Sequence, residues 1–60
     1  MKRFQVVFRY RDKYCYPRWN TQSNIVYGNS SAEAVAQVCK INGLGVDCEY
    51  EIVDVVEVAQ

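Results

Sequence analysis

The chain has 60 residues, half of them apolar, and balances seven basic against seven acidic side chains so unevenly that residues 1–18 carry +5 and residues 19–60 carry −5. A chain of this length makes one small domain, residues 1–60, that buries only about 60% of the surface its unfolded form exposes. With no histidine there is no ordinary general base near neutral pH and no Cys-His or Ser-His pair, so an enzyme is not expected.

Across residues 3–11, Phe4, Val6, Phe8 and Tyr10 alternate with Arg3, Gln5, Val7, Arg9 and Arg11. That is the period of a half-buried strand with one oily and one cationic face. Its apolar run, residues 4–8, is interrupted by Gln5 and too short for a signal-peptide core or a membrane span, so a cytoplasmic protein without a membrane partner is expected. Residues 12–20 mix charges and aromatics around Pro17, which reads as a loop or the flared tip of a hairpin. Residues 21–27 read as a second strand, with Ile25 and Tyr27 on one side and Asn24 and Val26 on the other.

Gly28-Asn29 ends that strand, and the spacing of Ser30 and Glu33 is that of a capping box, so a helix of about three turns starts here. Ala34, Val35, Val38 and Ile41 form its apolar stripe with Cys39 at the margin, and Asn42-Gly43 supplies its left-handed end. Residues 50–58 are rich in Val and Ile and predict a third strand. There Tyr50, Ile52, Val56 and Val58 share a face with Asp54, whereas Val53 and Val55 share the other with Glu49, Glu51 and Glu57; a bulge near Asp54 resolves the conflict.

The predicted fold is therefore α+β, in the order β-β-α-β. A hairpin followed by a helical crossover returns the last strand beside the first, giving a three-stranded antiparallel sheet of order 2-1-3 with one helix packed on one face. The expected core is Phe4, Val6, Phe8, Ile25, Val35, Val38, Ile41, Ile52 and Val56. On the open face Arg3, Arg9 and Arg11 would stand across from Glu49, Glu51 and Glu57, at roughly 0.2–1 kcal/mol per pair. Val7, Val26, Val53 and Val55 would lie among those charges, an association surface on which a homodimer, face to face or edge to edge, is an open alternative.

Cys15, Cys39 and Cys48 form no CxxC pair and read as three reduced thiols, Cys39 in or near the core and Cys15 the exposed one; no metal site is implied. The Gly43 and Gly45 pair follows a helix instead of preceding one, so no phosphate-binding loop and no cofactor are expected. Glu49 and Glu51, two apart on one strand face, read as solvated or arginine-paired carboxylates.

Cross-strand pairing does not reach the tip, where Lys13, Tyr14, Tyr16, Arg18 and Trp19 extend beyond the strands that carry the acids; with Arg11 at its base these are the candidate partner-binding residues. Tyr, Trp and Arg dominate binding energy at interfaces. One reading is a protein-binding module that docks on a larger protein or ribonucleoprotein complex. The alternative is a nucleic-acid-binding module, for single strands or RNA, whose cations meet phosphates while a ring stacks on bases. Equal numbers of acids weigh against it. The structural alternative to both is that Trp19 and one Tyr fold back as a lid over the uncovered face.

Residues 29–38 (NSSAEAVAQV), Gly43 and residues 50–58 (YEIVDVVEV) resemble a pattern of small orphan proteins of phages and mobile elements, including anti-CRISPR-type inhibitors. The resemblance spans the last half of the chain and rests on a capped helix before a terminal strand. It implies a compact accessory protein that inhibits a host defence complex without chemistry of its own, and it transfers no binding residue.

Overall fold

The computed structural model describes residues 1–14, 16–46 and 48–58. Its elements are β1 (Lys2–Asp12), β2 (Asn20–Gly28), α1 (Ser31–Asn42) and β3 (Cys48–Val58). The strands form one antiparallel sheet in the order β2-β1-β3, with α1 packed on one face through Ala34 and Val38. This is the α+β arrangement that the alternation in β1 and the helix signals predict.

The helix begins and ends where its local chemistry dictates. Ser30 Oγ accepts the Glu33 N–H at 3.2 Å, and the Glu33 carboxylate reaches back to the Asn29 N–H at 3.3 Å, one residue ahead of the cap. At the other end Gly43 sits at φ 65°, and the N–H groups of Gly43 and Leu44 both point to Cys39 O, satisfying a carbonyl that the helix leaves open.

The core consists of Phe4, Val6, Phe8, Val26, Ala34 and Val38, with Tyr10, Val35, Leu44, Ile52 and Val55 packed against it. Val6, Phe8 and Val38 are fully enclosed, each contributing about 1.5–3 kcal/mol by leaving water. Three expected core residues lie outside it: Ile25, Ile41 and Val56 are 57%, 67% and 47% exposed.

The reason for Ile25 is register. Phe4 faces Val26 and Val6 faces Asn24 across the β1–β2 ladder, so the even-numbered residues of β2 turn toward the helix. Asn24 is tolerated there because Asn42 Nδ2 donates to its Oδ1 at 3.0 Å while also donating to Val38 O at 2.9 Å. The inward stripe of α1 is consequently Ala34, Val38 and Asn42, four residues apart, and Ile41 turns to solvent.

In β3 the expected bulge is present. Val7 pairs with Asp54 and Phe8 with Ile52, leaving Val53 as the extra residue. Across it the alternation changes phase, so Ile52 and Val55 face the core while Val56 faces out. The same phase change moves Glu57 to the helix side, opposite Phe4. Its ion pair is with Lys2 at 3.7 Å, not with an arginine of the open face.

A 12-residue helix spans ~18 Å, whereas 11-residue strands span ~36 Å. The molecule measures 36 × 17 × 12 Å, so α1 shields only part of the sheet's length. Beyond Phe8 the helix face is covered by the turn after α1, from which Leu44 packs inward. Among the described residues no helix is long and apolar enough to cross a membrane. Cys39 and Cys48 are half-buried free thiols, and the expected exposure of Cys15 lies outside the described residues.

Candidate binding tip and open sheet face

Asp12 ends β1 by organising the turn beyond it. Its Oδ1 accepts the Tyr14 N–H at 2.9 Å and its backbone oxygen accepts the Tyr16 N–H at 2.9 Å, the local bonding by which Asp initiates turns. The consequence is a projecting segment in which Tyr14 is 84% and Tyr16 65% exposed. Lys13 and Arg18 are exposed as well, and Lys13 Nζ lies 5.3 Å from the Tyr14 ring centre.

Trp19 behaves differently. It folds back onto the open face of the sheet, half-buried, with its ring centre 4.8 Å from the Arg9 guanidinium carbon and 4.5 Å from that of Arg11. Tyr16 adds a second ring over Arg11 at 5.0 Å. The same two guanidiniums are held from the other side by β3: Arg9 Nη2 is 2.9 Å from Glu51 Oε2 and Arg11 Nη2 is 2.7 Å from Glu49 Oε2. Ring, guanidinium and carboxylate thus run from the loop before β2 across β1 to β3, because Arg9 and Arg11 lie two apart on one face of β1 and register sets them opposite Glu51 and Glu49.

This arrangement divides the six predicted tip residues into two groups. Arg11 and Trp19 are joined to the sheet, and Arg11 is bonded to Glu49 through Nε as well, at 2.8 Å. Lys13, Tyr14, Tyr16 and Arg18 form the outward part. Among the described residues, neither Lys13 nor Arg18 has a carboxylate within ion-pair distance. The fold therefore cancels part of the charge asymmetry of the sequence and leaves a smaller cationic, aromatic end.

Two clefts flank that end. One, of about 410 Å³, lies on the helix side among Phe8, Tyr10, Tyr14, Leu44 and Val46. The other, of about 520 Å³, is bounded by Arg11, Tyr16, Cys48 and Glu49. Asp12, Lys13 and Cys48 border both. Nearby, the Tyr50 phenol is held above its ordinary pKa by the Cys39 side chain, chiefly through hydrogen bonding and then through electrostatic repulsion, with a smaller contribution from desolvation.

Farther along the open face the register builds rows of another character: Tyr27, Arg3 and Val58, then Ile25, Gln5 and Val56, then Ser23, Val7 and Asp54. Ile25, Tyr27, Val53 and Val56 are about half exposed there. The expected apolar set on this face is corrected accordingly: Val7 and Val53 belong to it, whereas Val26 and Val55 face the core. Ile25, Tyr27 and Val56 belong to this face as well, the first two because register turns Val26 inward and Val56 because the bulge changes the phase of β3.

What such a surface can do is bind, through rings that offer large area with few rotors and cations that give direction. Comparison with protein-family models, with curated proteins and with solved structures returned no match.

Proposed function

We propose that this chain is a small non-enzymatic protein-binding module, acting in the cytoplasm, that docks on a larger protein or ribonucleoprotein complex through its hairpin tip. The observation that supports this reading best is the contrast within the tip. Tyr14 and Tyr16 are 84% and 65% exposed on a turn that Asp12 braces from within. Two large rings held in water on a braced turn are what an interface anchor needs, because less loop entropy is left to lose on binding. The phage-type resemblance of the C-terminal half supplies the class of activity: inhibition of a host defence complex by occupancy, without chemistry.

Nucleic acid is the second reading. Against it stands the commitment of Arg9 and Arg11 to Glu51 and Glu49, since a phosphate at either guanidinium would compete with an internal ion pair, which leaves Lys13 and Arg18, among the described residues, as the cations at the tip without a carboxylate. A nucleic-acid binder of this size needs several unencumbered cations.

The test is a pull-down from host lysate with and without nuclease, repeated with Tyr14→Ala/Tyr16→Ala. The expected result is a specific protein retained after nuclease and released at least several-fold by the double variant. Capture that disappears with nuclease, together with oligonucleotide affinity that falls steeply with salt, would move the assignment to nucleic acid. Retention unaffected by the variant would remove the tip from the site.

A further inference from the structure

The two outer edges of the sheet are built in opposite ways. β3 carries Glu49, Glu51, Asp54 and Glu57 and is interrupted by the bulge at Val53. Charges and bulges on an edge are the devices that keep another strand from adding to it. β2 has neither. Its nine residues, NTQSNIVYG, contain no ionisable side chain apart from the Tyr27 phenol and no proline, and its register with β1 runs unbroken from Lys2 opposite Gly28 to Tyr10 opposite Asn20. Among the described residues β2 pairs with no strand but β1, and between Asn20 and Tyr27 O, which accepts from Gln37 Nε2, its outer backbone groups face outward.

From this asymmetry we propose that the β2 edge is a self-association surface, on which a second copy of the chain lays its own β2 antiparallel to form a six-stranded sheet. The charge pattern selects the occupant. A two-fold contact brings the residues near its axis close to their own copies, so a charge in the middle of the strand would meet its like. An edge without charge is the one that tolerates this, and β3 against β3 would set acids against acids. Pairing β2 of one copy with β3 of the next would bring no closure and would run on as an open chain.

Geometry adds to the backbone bonds. A two-fold axis perpendicular to the sheet near the midpoint of β2, Asn24, keeps both helices on one side. It also places Ile25 diagonal to its own copy, with both Tyr27 rings flanking the pair on the open face. These residues are 57% and 53% exposed in the single chain, and pairing would merge the two copies' Ile25 and Tyr27 into one apolar strip along the seam. Gln37 Nε2 already donates to Tyr27 O, so the helix anchors one end of the strand and leaves its middle as the contact. The two tips would point to opposite ends of the double sheet, and the inference does not depend on the reading of the tip.

The experiment is sedimentation of the whole chain from micromolar to millimolar concentration, with Ile25→Lys, Ile25→Glu and an equimolar mixture of the two. Wild type is expected to rise from the mass of one chain to that of two, with β2 amide exchange slowing in step. Each Ile25 variant is expected to keep the wild-type far-ultraviolet circular dichroism and to weaken self-association at least about tenfold, since like charges would stand on the diagonal across the edge in place of an apolar contact. The mixture should recover it. A wild type that stays at one chain's mass throughout overturns the inference and leaves the edge to a strand of another protein. A dimer that survives Ile25→Lys, a mixture that stays monomeric, or a dimer lost in Tyr14→Ala/Tyr16→Ala overturns it equally, the last by assigning self-contact to the tip.

Discussion

Trp19 lies over Arg11, its ring centre 4.5 Å from the guanidinium carbon, while that guanidinium is 2.7 Å from Glu49 Oε2. A ring from the loop therefore closes a stack that begins on β3. Trp19 and Tyr16 both touch Arg11, yet one is half-buried and the other projects, so they divide between scaffold and surface.

Trp19→Ala is expected to cost about 1–2 kcal/mol of unfolding free energy, since it removes two cation–ring contacts and uncovers the apolar stems of both arginines. Tyr14→Ala, at an 84% exposed position, should stay within about 0.5 kcal/mol of wild type. Urea denaturation of the two variants checks this; equal effects would mean that Trp19 is a surface ring like Tyr14.

The two cross-strand ion pairs should differ in strength. Arg11 is 24% exposed and bonds Glu49 through both Nε and Nη2, whereas Arg9 is 39% exposed and bonds Glu51 through Nη2. Exposed pairs are worth about 0.2–1 kcal/mol and are screened by salt. Double-mutant cycles with Ala should place the Arg11–Glu49 coupling above that of Arg9–Glu51, and both should shrink between low and high salt. A larger Arg9 coupling would show that the second bond and the deeper guanidinium add nothing.

What could be read from the sequence was what neighbours in the chain decide. The cap at Ser30, the glycine end at Gly43 and the alternation of β1 are local, and so are the helix and the central strand they produce. The bulge was legible because β3 contradicts itself, with Ile52 and Val55 out of phase. The inward face of β2 was not, since Ile25, Val26 and Tyr27 are consecutive and the choice falls to Phe4 opposite Val26 and to Asn42 satisfying Asn24. The tip was legible as a cluster and not as a division of labour. Which ring returns to the sheet depends on guanidiniums that β1 places and β3 holds, contacts that no local pattern encodes.

Gly43 offers a test of backbone against packing. A Cβ built there would meet nothing within 4 Å, so the φ of 65° is the whole cost of a side chain. Gly43→Ala should destabilise by about 1–2 kcal/mol, and Gly43→Asn by less, because Asn tolerates the left-handed region. If both variants matched wild type in thermal unfolding, the helix would have to end in another conformation.

The phase change in β3 has the sharpest consequence for neighbouring valines. Val53 is the unpaired residue of the bulge and is 53% exposed, while Val55 pairs with Val6 and packs on the core. In an unbulged strand residues 53 and 55 share a face and would respond alike to a polar substitution. With the bulge they do not: Val55→Thr brings a hydroxyl against Val6, where the described surroundings are hydrocarbon, and should cost about 1–3 kcal/mol. Val53→Thr leaves its hydroxyl in water and should lie within about 0.5 kcal/mol of wild type. The pair isolates phase from composition, since both substitutions exchange the same methyl for the same hydroxyl in one strand. Equal losses in denaturant titration would mean that β3 keeps a single period through Val53, and the placement of Glu49 and Glu51 opposite Arg11 and Arg9 would then have to be redrawn.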